Sequence, residues 1–351
     1  MRLIGTNMSL PLIPARYNAE NLRRVLNDPS LLLREPENIK RNLTYYPNRT
    51  IGRWLFRREY GKEVDVMEQD WDNLIILDAC RYDVFSEVNT PDGDLQRIVS
   101  KGSHSRDFID TTFKSQTLND TVYVSGNVKA ADLGEDVFHR MVLTYSDEYS
   151  TGKYASFKER YQRYYPEVVH DLTVENYEQY DQKRFIVHFM QPHAPYLGPE
   201  AERLREQFTD QYGLRFKAWE RREEYDEDAT YTESLLSAVE AGYGEPEDVW
   251  KVYVENLRVV LEYVEDLLEH MNGKTVITAD HGELFGDPTD HLYFGREFAH
   301  TKEVYVPELR LVPWLEIDAN ERRTITPGDP VGKDTVDKQM HDEQLEALGY
   351  K

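Results

Sequence analysis

Five short apolar runs along the chain predict buried β-strands. They cover residues 74–77, 95–99, 121–125, 185–190 and 275–279. The run at 74–77 shows no alternation of apolar and polar positions, which is typical of a strand with both faces buried. A proline-flanked apolar stretch within 298–317 predicts one more strand late in the chain.

The clearest helical pattern lies at 247–271. Its apolar positions recur at steps of three and four residues, at Trp250, Tyr253, Leu257, Val260, Val264, Leu267 and Met271. Because this helix leads directly into the run at 275–279, the two predict an αβ unit of a parallel sheet, and hence an α/β protein. The charged, tyrosine-rich stretch 130–182 predicts surface helices and loops.

The composition allows a large core and shows no membrane span. The chain has 351 residues, of which 40% are hydrophobic and 12% aromatic, enough for one large domain or two smaller ones. No run approaches the ~18 apolar residues of a membrane helix, and the N-terminus is a poor signal peptide. Cys80 is the only cysteine, so no intrachain disulfide can form. We expect a cytoplasmic protein.

The net charge of −23 restricts the partners of the protein. The negative electrostatic field of such a charge disfavours binding to nucleic acid and to anionic membranes. It also repels an anionic substrate unless a local cation attracts that substrate. An acid excess of this size fits the solvated surface of a protein from a high-salt cytoplasm, where salt screens the repulsion. We therefore expect no nucleic-acid partner and a halophilic habitat.

Two apolar runs end in candidate metal ligands. Asp280 and His281 follow the run at 275–279 and offer an oxygen and a nitrogen donor, while Gly282 leaves the backbone free to turn. Asp78 follows the run at 74–77, where a buried carboxylate costs several kcal/mol unless it is paired or metal-bound. A polar turn at Asp280, and an ion pair of Asp78 with Arg81 or a helix cap, are the alternatives.

A candidate nucleophile lies in the turn Ser100-Lys101-Gly102-Ser103-His104-Ser105. This turn joins the strand at 95–99 to a helix predicted around 108–113. A serine at a helix N-terminus lies beside free backbone N–H groups and the positive end of the helix dipole, which suits a phosphate or sulfate. Ser105 is the candidate and Ser103 the second choice. Ser105 also fits an ordinary N-cap.

Two histidines complete the candidate residues. Pro192 and Pro195 hold His193 in a rigid turn after the run at 185–190. His300 precedes the late apolar stretch, whereas His188 lies inside a run and reads as a core residue. Acid, hydroxyl and imidazole at strand ends suit an ester hydrolase in which a metal activates a serine and histidine assists the leaving oxygen.

The order and spacing of these motifs resemble those of the alkaline phosphatase/sulfatase superfamily. Within it, the chain resembles a sulfatase-like hydrolase of haloarchaeal type. The motifs are LIILDACRYD, SKGSHS, HFMQPHAPY, TVITADHGELFGD and FAHTKEVYVPELRLVPWL, over about 71–317. The resemblance implies an alkaline phosphatase-like fold, with a mostly parallel central sheet and helices on both faces. We expect the catalytic domain to span 71–318. Outside it, the sequence predicts an N-terminal helical arm at 1–70 and a polar C-terminal tail at 319–351.

The resemblance also implies roles for individual residues. Asp78, Asp280 and His281 would be metal ligands, and Ser105 would be both the nucleophile and the fourth ligand. His193 would be a catalytic acid or bind substrate. His300 would bind substrate or a second metal, and Arg81 could attract the anionic substrate. We expect one metal, because no Asp partner for His193 and His300 is evident.

Departures from the superfamily patterns narrow the activity. Ser105 is followed by Arg106-Asp107, so the sulfatase signature that is oxidised to formylglycine is absent. The pair Asp280-His281 stands where sulfatases commonly have Asp-Asn, and a nitrogen donor favours Zn²⁺ or Mn²⁺ over Ca²⁺. We expect hydrolysis or transfer of a phosphate ester, with a glycan or a lipid-linked intermediate as the candidate substrate. A sulfatase and an inactive binding domain are the alternatives.

Overall fold

The computed structural model describes residues 51–88, 90–146, 149, 164–217, 229–288, 296–301, 304–336, 338, 341–342 and 345. These residues belong to one unit that spans Asn48–Lys351. Most of the predicted arm at 1–70 lies outside the described residues, so the predicted domain boundaries stay a prediction. None of the helices in the described ranges is long and apolar enough to cross a membrane.

Twelve strands and eight α-helices are found in these residues. The strands are β1 (Asn73–Leu77), β2 (Asp94–Val99), β3 (Leu118–Ser125), β4 (Phe138–Leu143), β5 (Arg184–Phe189), β6 (Leu214–Phe216), β7 (Thr230–Thr232), β8 (Thr275–Thr278), β9 (Leu284–Pro288), β10 (Arg296–Ala299), β11 (Leu311–Ile317) and β12 (Gly332–Lys333). The helices are α1 (Arg53–Tyr60), α2 (Tyr82–Glu87), α3 (Ser105–Thr112), α4 (Pro166–Gln179), α5 (Pro199–Tyr212), α6 (Leu235–Glu240), α7 (Pro246–His270) and α8 (Pro307–Arg310).

Eight of the strands form the central sheet, in the order β12-β4-β3-β5-β1-β8-β11-β2. Every neighbouring pair from β12 to β8 is parallel, and β11 is antiparallel to both of its neighbours. The prediction of a mostly parallel sheet is therefore confirmed. Because β1, β2, β3, β5 and β8 run in the same direction, the residues that follow them meet at one edge of the sheet.

Both faces of the sheet are covered by helices, as predicted. Leu74 and Ile76 of β1 pack in one core with Phe108 of α3. Ile75 and Leu77 point to the opposite core, which includes buried residues of α4, α5 and α7. All five residues of β1 are buried, which explains why its sequence shows no alternation.

One expectation from the sequence is wrong. The stretch 130–182 was expected to hold only surface helices and loops, but β4 lies within it and pairs with β3 and β12 inside the sheet. The strand reads FHRMVL, and His139-Arg140 interrupts its apolar residues, which hides the run. The C-terminal segment also contributes to the sheet, because β12 forms its edge strand beside β4.

Candidate active site

Four polar side chains from different elements meet at the carboxyl edge of the sheet. Asp78 follows β1, Asp280 and His281 follow β8, and Ser105 is the first residue of α3. All four are fully buried. The Ser105 Oγ lies 3.2 Å from both Asp78 Oδ2 and His281 Nε2. The structure therefore brings together the four residues that the sequence predicts as metal ligands.

The donor atoms of this group fit a divalent cation. Asp78 Oδ1 and Asp280 Oδ2 are buried, and neither has a hydrogen-bond partner among the described residues. His281 Nδ1 lies 2.7 Å from the Gly282 carbonyl, to which it donates, so Nε2 keeps its lone pair. This Nε2 is 3.6 Å from Asp78 Oδ1 and 3.5 Å from Asp280 Oδ2. Two unpaired carboxylate oxygens thus face an imidazole nitrogen and a serine hydroxyl.

The remaining carboxylate oxygens hold the two aspartates in place. Asp78 Oδ2 accepts hydrogen bonds from the Ser105 hydroxyl and the Asn127 amide. Asp280 Oδ1 accepts from the backbone N–H of Ala79 at 3.1 Å and of His281 at 2.9 Å. Each carboxylate is therefore oriented through one oxygen while the other is left for a ligand.

The electrostatics of the group also favour a bound cation. Burial and the neighbouring Asp280 raise the pKa of Asp78 well above its usual value. Burial raises the pKa of Asp280 as well. Burial, together with the nearby His300, lowers the pKa of His281 well below its usual value, so its ring is neutral. A cation would relieve the repulsion between the carboxylates and use the neutral imidazole as a ligand.

Ser105 is not the N-cap of α3, so the alternative role as an ordinary helix cap is excluded. The N-cap is His104, whose Nδ1 accepts a hydrogen bond from the Asp107 N–H at 3.2 Å. The hydroxyl of Ser105 is thereby free to point to Asp78 and His281. These contacts favour Ser105 over Ser103 as the nucleophile.

The turn before Ser105 is fixed from two sides. The Ser100 hydroxyl donates to the Asp280 carbonyl, and it accepts from the Gly102 N–H at 3.1 Å. The fully buried Arg310, which ends α8, donates to the Lys101 carbonyl at 2.8 Å. The nucleophile turn is thus tied both to the end of β8 and to the start of β11.

A second group lies beside the first and consists of His193, Glu283 and His300. His300 Nδ1 is 3.1 Å from Glu283 Oε1, and His193 Nε2 is 4.0 Å from Glu283 Oε2. The ring of His300 lies 4.8 Å from that of His281, between centroids. Ligand atoms of the three residues lie within 4.8 Å of one another, a spacing that could hold a cation. Glu283 is the carboxylate partner that the sequence analysis did not find, so the expectation of a single metal loses its basis.

The residues of this second group change one another's pKa values. Burial alone would lower the pKa of His300, but the Glu283 carboxylate raises it above its usual value. Burial lowers the pKa of His193. A cavity of about 220 Å³ opens onto the group, and its lining includes Tyr196, Ser237 and Phe298. A substrate could therefore reach this side of the site.

Arg81 does not point into either group. Its guanidinium donates to Asp83 at 2.9 and 2.6 Å, to both oxygens of Asp287 at 3.1 Å and to the Glu283 carbonyl at 3.2 Å. It also lies 4.8 Å from the centre of the Trp250 ring. These contacts give Arg81 a structural role, and binding of substrate by Arg81 stays a prediction that they do not support.

Sequence reasoning missed several residues of the site. His188, expected to be a satisfied core residue, has an Nε2 without a hydrogen-bond partner in the part of the chain that the structure describes, at 3.8 Å from Asp280 Oδ2. Its Nδ1 lies 2.8 Å from the Tyr123 hydroxyl. Burial lowers its pKa to about 4. Asn127 follows β3 and contacts Asp78. The buried Lys129 lies near His300, and its positive charge opposes part of the increase in the pKa of His300 that Glu283 causes. The position of Asn127 and Lys129 just after a predicted strand was the available signal.

Comparisons with known proteins give matches among solved structures alone, because no protein-family model and no curated protein matches the chain. One is the integral membrane protein lipooligosaccharide phosphoethanolamine transferase A (EptA) from Neisseria meningitidis. It shows 9% identity and a TM-score of 0.42, and the match covers 86% of this chain and 61% of that one. The chain thus spans less than two thirds of the length of EptA.

Two further matches are of similar quality. The C-terminal periplasmic domain of EptC from Escherichia coli, in complex with Zn, shows 13% identity and a TM-score of 0.35, with 72% of this chain and 75% of that one covered. BT4656, in complex with its substrate D-glucosamine-2-N,6-O-disulfate, shows 12% identity and a TM-score of 0.42, with 81% and 77% covered. All three TM-scores lie below 0.5.

Proposed function

We propose that the chain hydrolyses or transfers a phosphate or sulfate ester at a divalent cation, with Ser105 as the nucleophile. The observation that carries this proposal is the meeting of Asp78 Oδ1, Asp280 Oδ2, His281 Nε2 and Ser105 Oγ. A metal-activated serine needs this set of atoms. A bound cation would act there as a Lewis acid that lowers the pKa of the serine hydroxyl and offsets the charge of the ester.

The surrounding residues supply the other roles. With a cation bound, Ser105 Oγ would release its proton to water and form a bond to the phosphorus or sulfur atom as the bond to the leaving oxygen breaks; water or an acceptor hydroxyl would then take the group from the serine. The N-terminus of α3 would place backbone N–H groups and its dipole beside the anion. His300 is suited to donate a proton to the leaving oxygen, because Glu283 keeps its pKa above the usual value. His193 lies next to His300, with 5.2 Å between ring centroids, and would bind the ester. The buried Lys129 adds a positive charge close to His300.

The donors favour Zn²⁺ or Mn²⁺ as the cation. Carboxylate oxygens with one or more imidazole nitrogens suit these ions better than Ca²⁺, which takes six to eight oxygens. The complex of EptC with Zn supports the same choice. The group of His193, Glu283 and His300 is a candidate for a second cation, which would replace the proton on His300 and would itself assist the leaving oxygen. His188 is a candidate further ligand of the first cation.

For the substrate, we propose a chemical class and no particular compound. EptA is named for transfer of phosphoethanolamine to a lipooligosaccharide, and the substrate of BT4656 is a sulfated sugar. We propose an anionic ester on a glycan or a lipid-linked molecule as the substrate of this chain. A cytoplasmic location and a high-salt habitat stay predictions from the composition. The alternative of an inactive binding domain is not favoured, because the nucleophile and all predicted ligands are present.

Ester hydrolysis tests the proposal. p-Nitrophenyl phosphate, bis-p-nitrophenyl phosphate and p-nitrophenyl sulfate would be assayed in high salt with Zn²⁺ or Mn²⁺. We expect metal-dependent turnover that falls by at least about 100-fold in Ser105→Ala and in Asp280→Ala. Ser103→Ala is the matched control and should keep most of the activity. Turnover that survives Ser105→Ala, or no turnover together with no bound metal, would exclude the proposed mechanism.

A further inference from the structure

Two polar residues on the buried face of α7 reach the two groups of the site. Tyr253 and Asn256 are three residues apart, so they lie on the same side of the helix. Both are fully buried, in a helix face that otherwise packs apolar residues against the sheet. Neither contacts the reacting atoms directly, and each binds the backbone of a turn that carries candidate ligands.

Tyr253 holds the turn that follows Asp78. Its hydroxyl donates to the Ala79 carbonyl at 2.7 Å and accepts from the Arg81 N–H at 3.0 Å. Ala79 has a φ of 58°, in the left-handed region that residues with a Cβ rarely adopt. The Ala79 N–H in turn donates to Asp280 Oδ1. Tyr253 therefore stabilises a strained turn that sets the position of Asp78 relative to Asp280.

Asn256 holds the turn that carries His193. Its Nδ2 group donates to the Pro192 carbonyl at 2.9 Å and to the His193 carbonyl at 3.1 Å. Its Oδ1 accepts from the Leu197 N–H at 3.0 Å. One amide thus joins both ends of the turn, which fixes the direction in which His193 faces Glu283.

We propose that Tyr253 and Asn256 are positioning residues, each for a different group of the site. Tyr253 positions the group of Asp78, Asp280 and His281, and Asn256 positions the group of His193, Glu283 and His300. The inference rests on the proposed function, because it treats both groups as cation sites. It predicts that two substitutions one helical turn apart affect two different cations.

Zn²⁺ titration of the full chain by calorimetry tests this separation. The wild-type protein should bind two ions, and Asp280→Ala and Glu283→Gln assign each ion to its group. Tyr253→Phe should lower the affinity for the ion that Asp280→Ala removes by about 10- to 100-fold. The affinity for the other ion should change by less than about 2-fold. Asn256→Ala should do the reverse. Asn256→Asp, which keeps the acceptor for Leu197 and removes the donors, is the second variant in case Asn256→Ala does not fold.

Matched controls exist at the opposite end of the sheet. The Tyr177 hydroxyl also makes one donated and one accepted backbone hydrogen bond, both to Asn272 at 2.9 Å. The buried amide of Asn73 donates to Asn272 and Thr275. Tyr177→Phe and Asn73→Ala should lower the melting temperature and leave both Zn²⁺ affinities unchanged.

The outcomes separate the two proposals. A wild-type protein that binds no Zn²⁺ would overturn the proposed function and this inference with it. If two ions bind, and Tyr253→Phe and Asn256→Ala have the same Zn²⁺ affinities as their control variants, only the positioning roles are overturned. The same holds if each of the two substitutions lowers the affinity for both ions equally. Binding of a single ion that requires Asp280 would overturn the role of Asn256.

Discussion

At the scale of single residues, Asp78 and Asp280 make the site unfavourable to fold without a cation. Both carboxylates are fully buried, and burial raises the pKa of each. Each also leaves one oxygen without a hydrogen bond among the described residues. A buried, unpaired carboxylate is destabilising, so these two residues lower the unfolding free energy of the metal-free protein. A bound cation would raise it again.

Asp78→Asn should therefore stabilise the metal-free protein while it removes the metal. The pKa of Asp78 in the folded protein lies above its usual value of 3.8, so its contribution to stability is present at low pH and is lost as the pH rises through the folded pKa. An amide carries no charge and avoids this loss. We expect a gain of about 1–3 kcal/mol in unfolding free energy near neutral pH with EDTA present.

Thermal unfolding with EDTA and with Zn²⁺ checks this prediction. Zn²⁺ should raise the melting temperature of the wild type by more than that of Asp78→Asn, which keeps only the group of His193, Glu283 and His300 as a cation site. Asp72→Asn is the control, because burial would raise the pKa of Asp72, but hydrogen bonds from Arg322 lower it below its usual value. This control should be less stable than the wild type. A metal-free Asp78→Asn protein that is also less stable would contradict the argument.

At the scale of elements, the loop after β8 is fitted closely against α8. The Gly282 N–H donates to the Leu309 carbonyl at 2.9 Å, and a Cβ on Gly282 would lie 1.9 Å from the Glu308 carbonyl oxygen. The sequence suggested that a glycine was needed for a turn. The structure shows that it is needed because two backbone segments approach closely. This contact sets the positions of His281 and Glu283 on either side of Gly282.

Gly282→Ala should therefore disturb both groups of the site. The added Cβ forces the loop away from α8, so we expect Zn²⁺ affinity to fall by at least about 10-fold, measured with a chelating dye. Gly134→Ala is the control, because its Cβ would first meet the Asp136 carboxylate, a side chain that can move. Unchanged Zn²⁺ binding in Gly282→Ala would show that the loop tolerates displacement and that this contact does not position the ligands.

Sequence patterns predicted those elements and residues that are recognisable within one segment. The helix predicted at 247–271 is found as α7, and Asp78, Asp280 and His281 follow apolar runs directly. Asn127 and His188 were missed because their roles depend on which strands are neighbours. β5 lies between β3 and β1, with His188 paired to Ser125 and Ile76. No pattern within a single segment encodes that arrangement.

At the scale of the whole molecule, the sheet order assembles a site from residues far apart in the chain. Strands β5, β1 and β8 are neighbours and parallel, so the residues that follow them meet at one edge. The turn that starts α3 joins them, because its strand β2 shares this direction. The central claim is that this convergence forms a cation site with Ser105 as nucleophile.

Anomalous X-ray diffraction from crystals of the full chain with Zn²⁺ tests this claim most directly. We predict a peak within ~2.0–2.2 Å of Asp78 Oδ1, Asp280 Oδ2 and His281 Nε2, with Ser105 Oγ beside it. The surface group of the partly buried His170 with the exposed Asp266 and His270 could also hold a metal and serves as an internal comparison. Zn²⁺ found at that surface group, with none between Asp78, Asp280 and His281, would contradict the account.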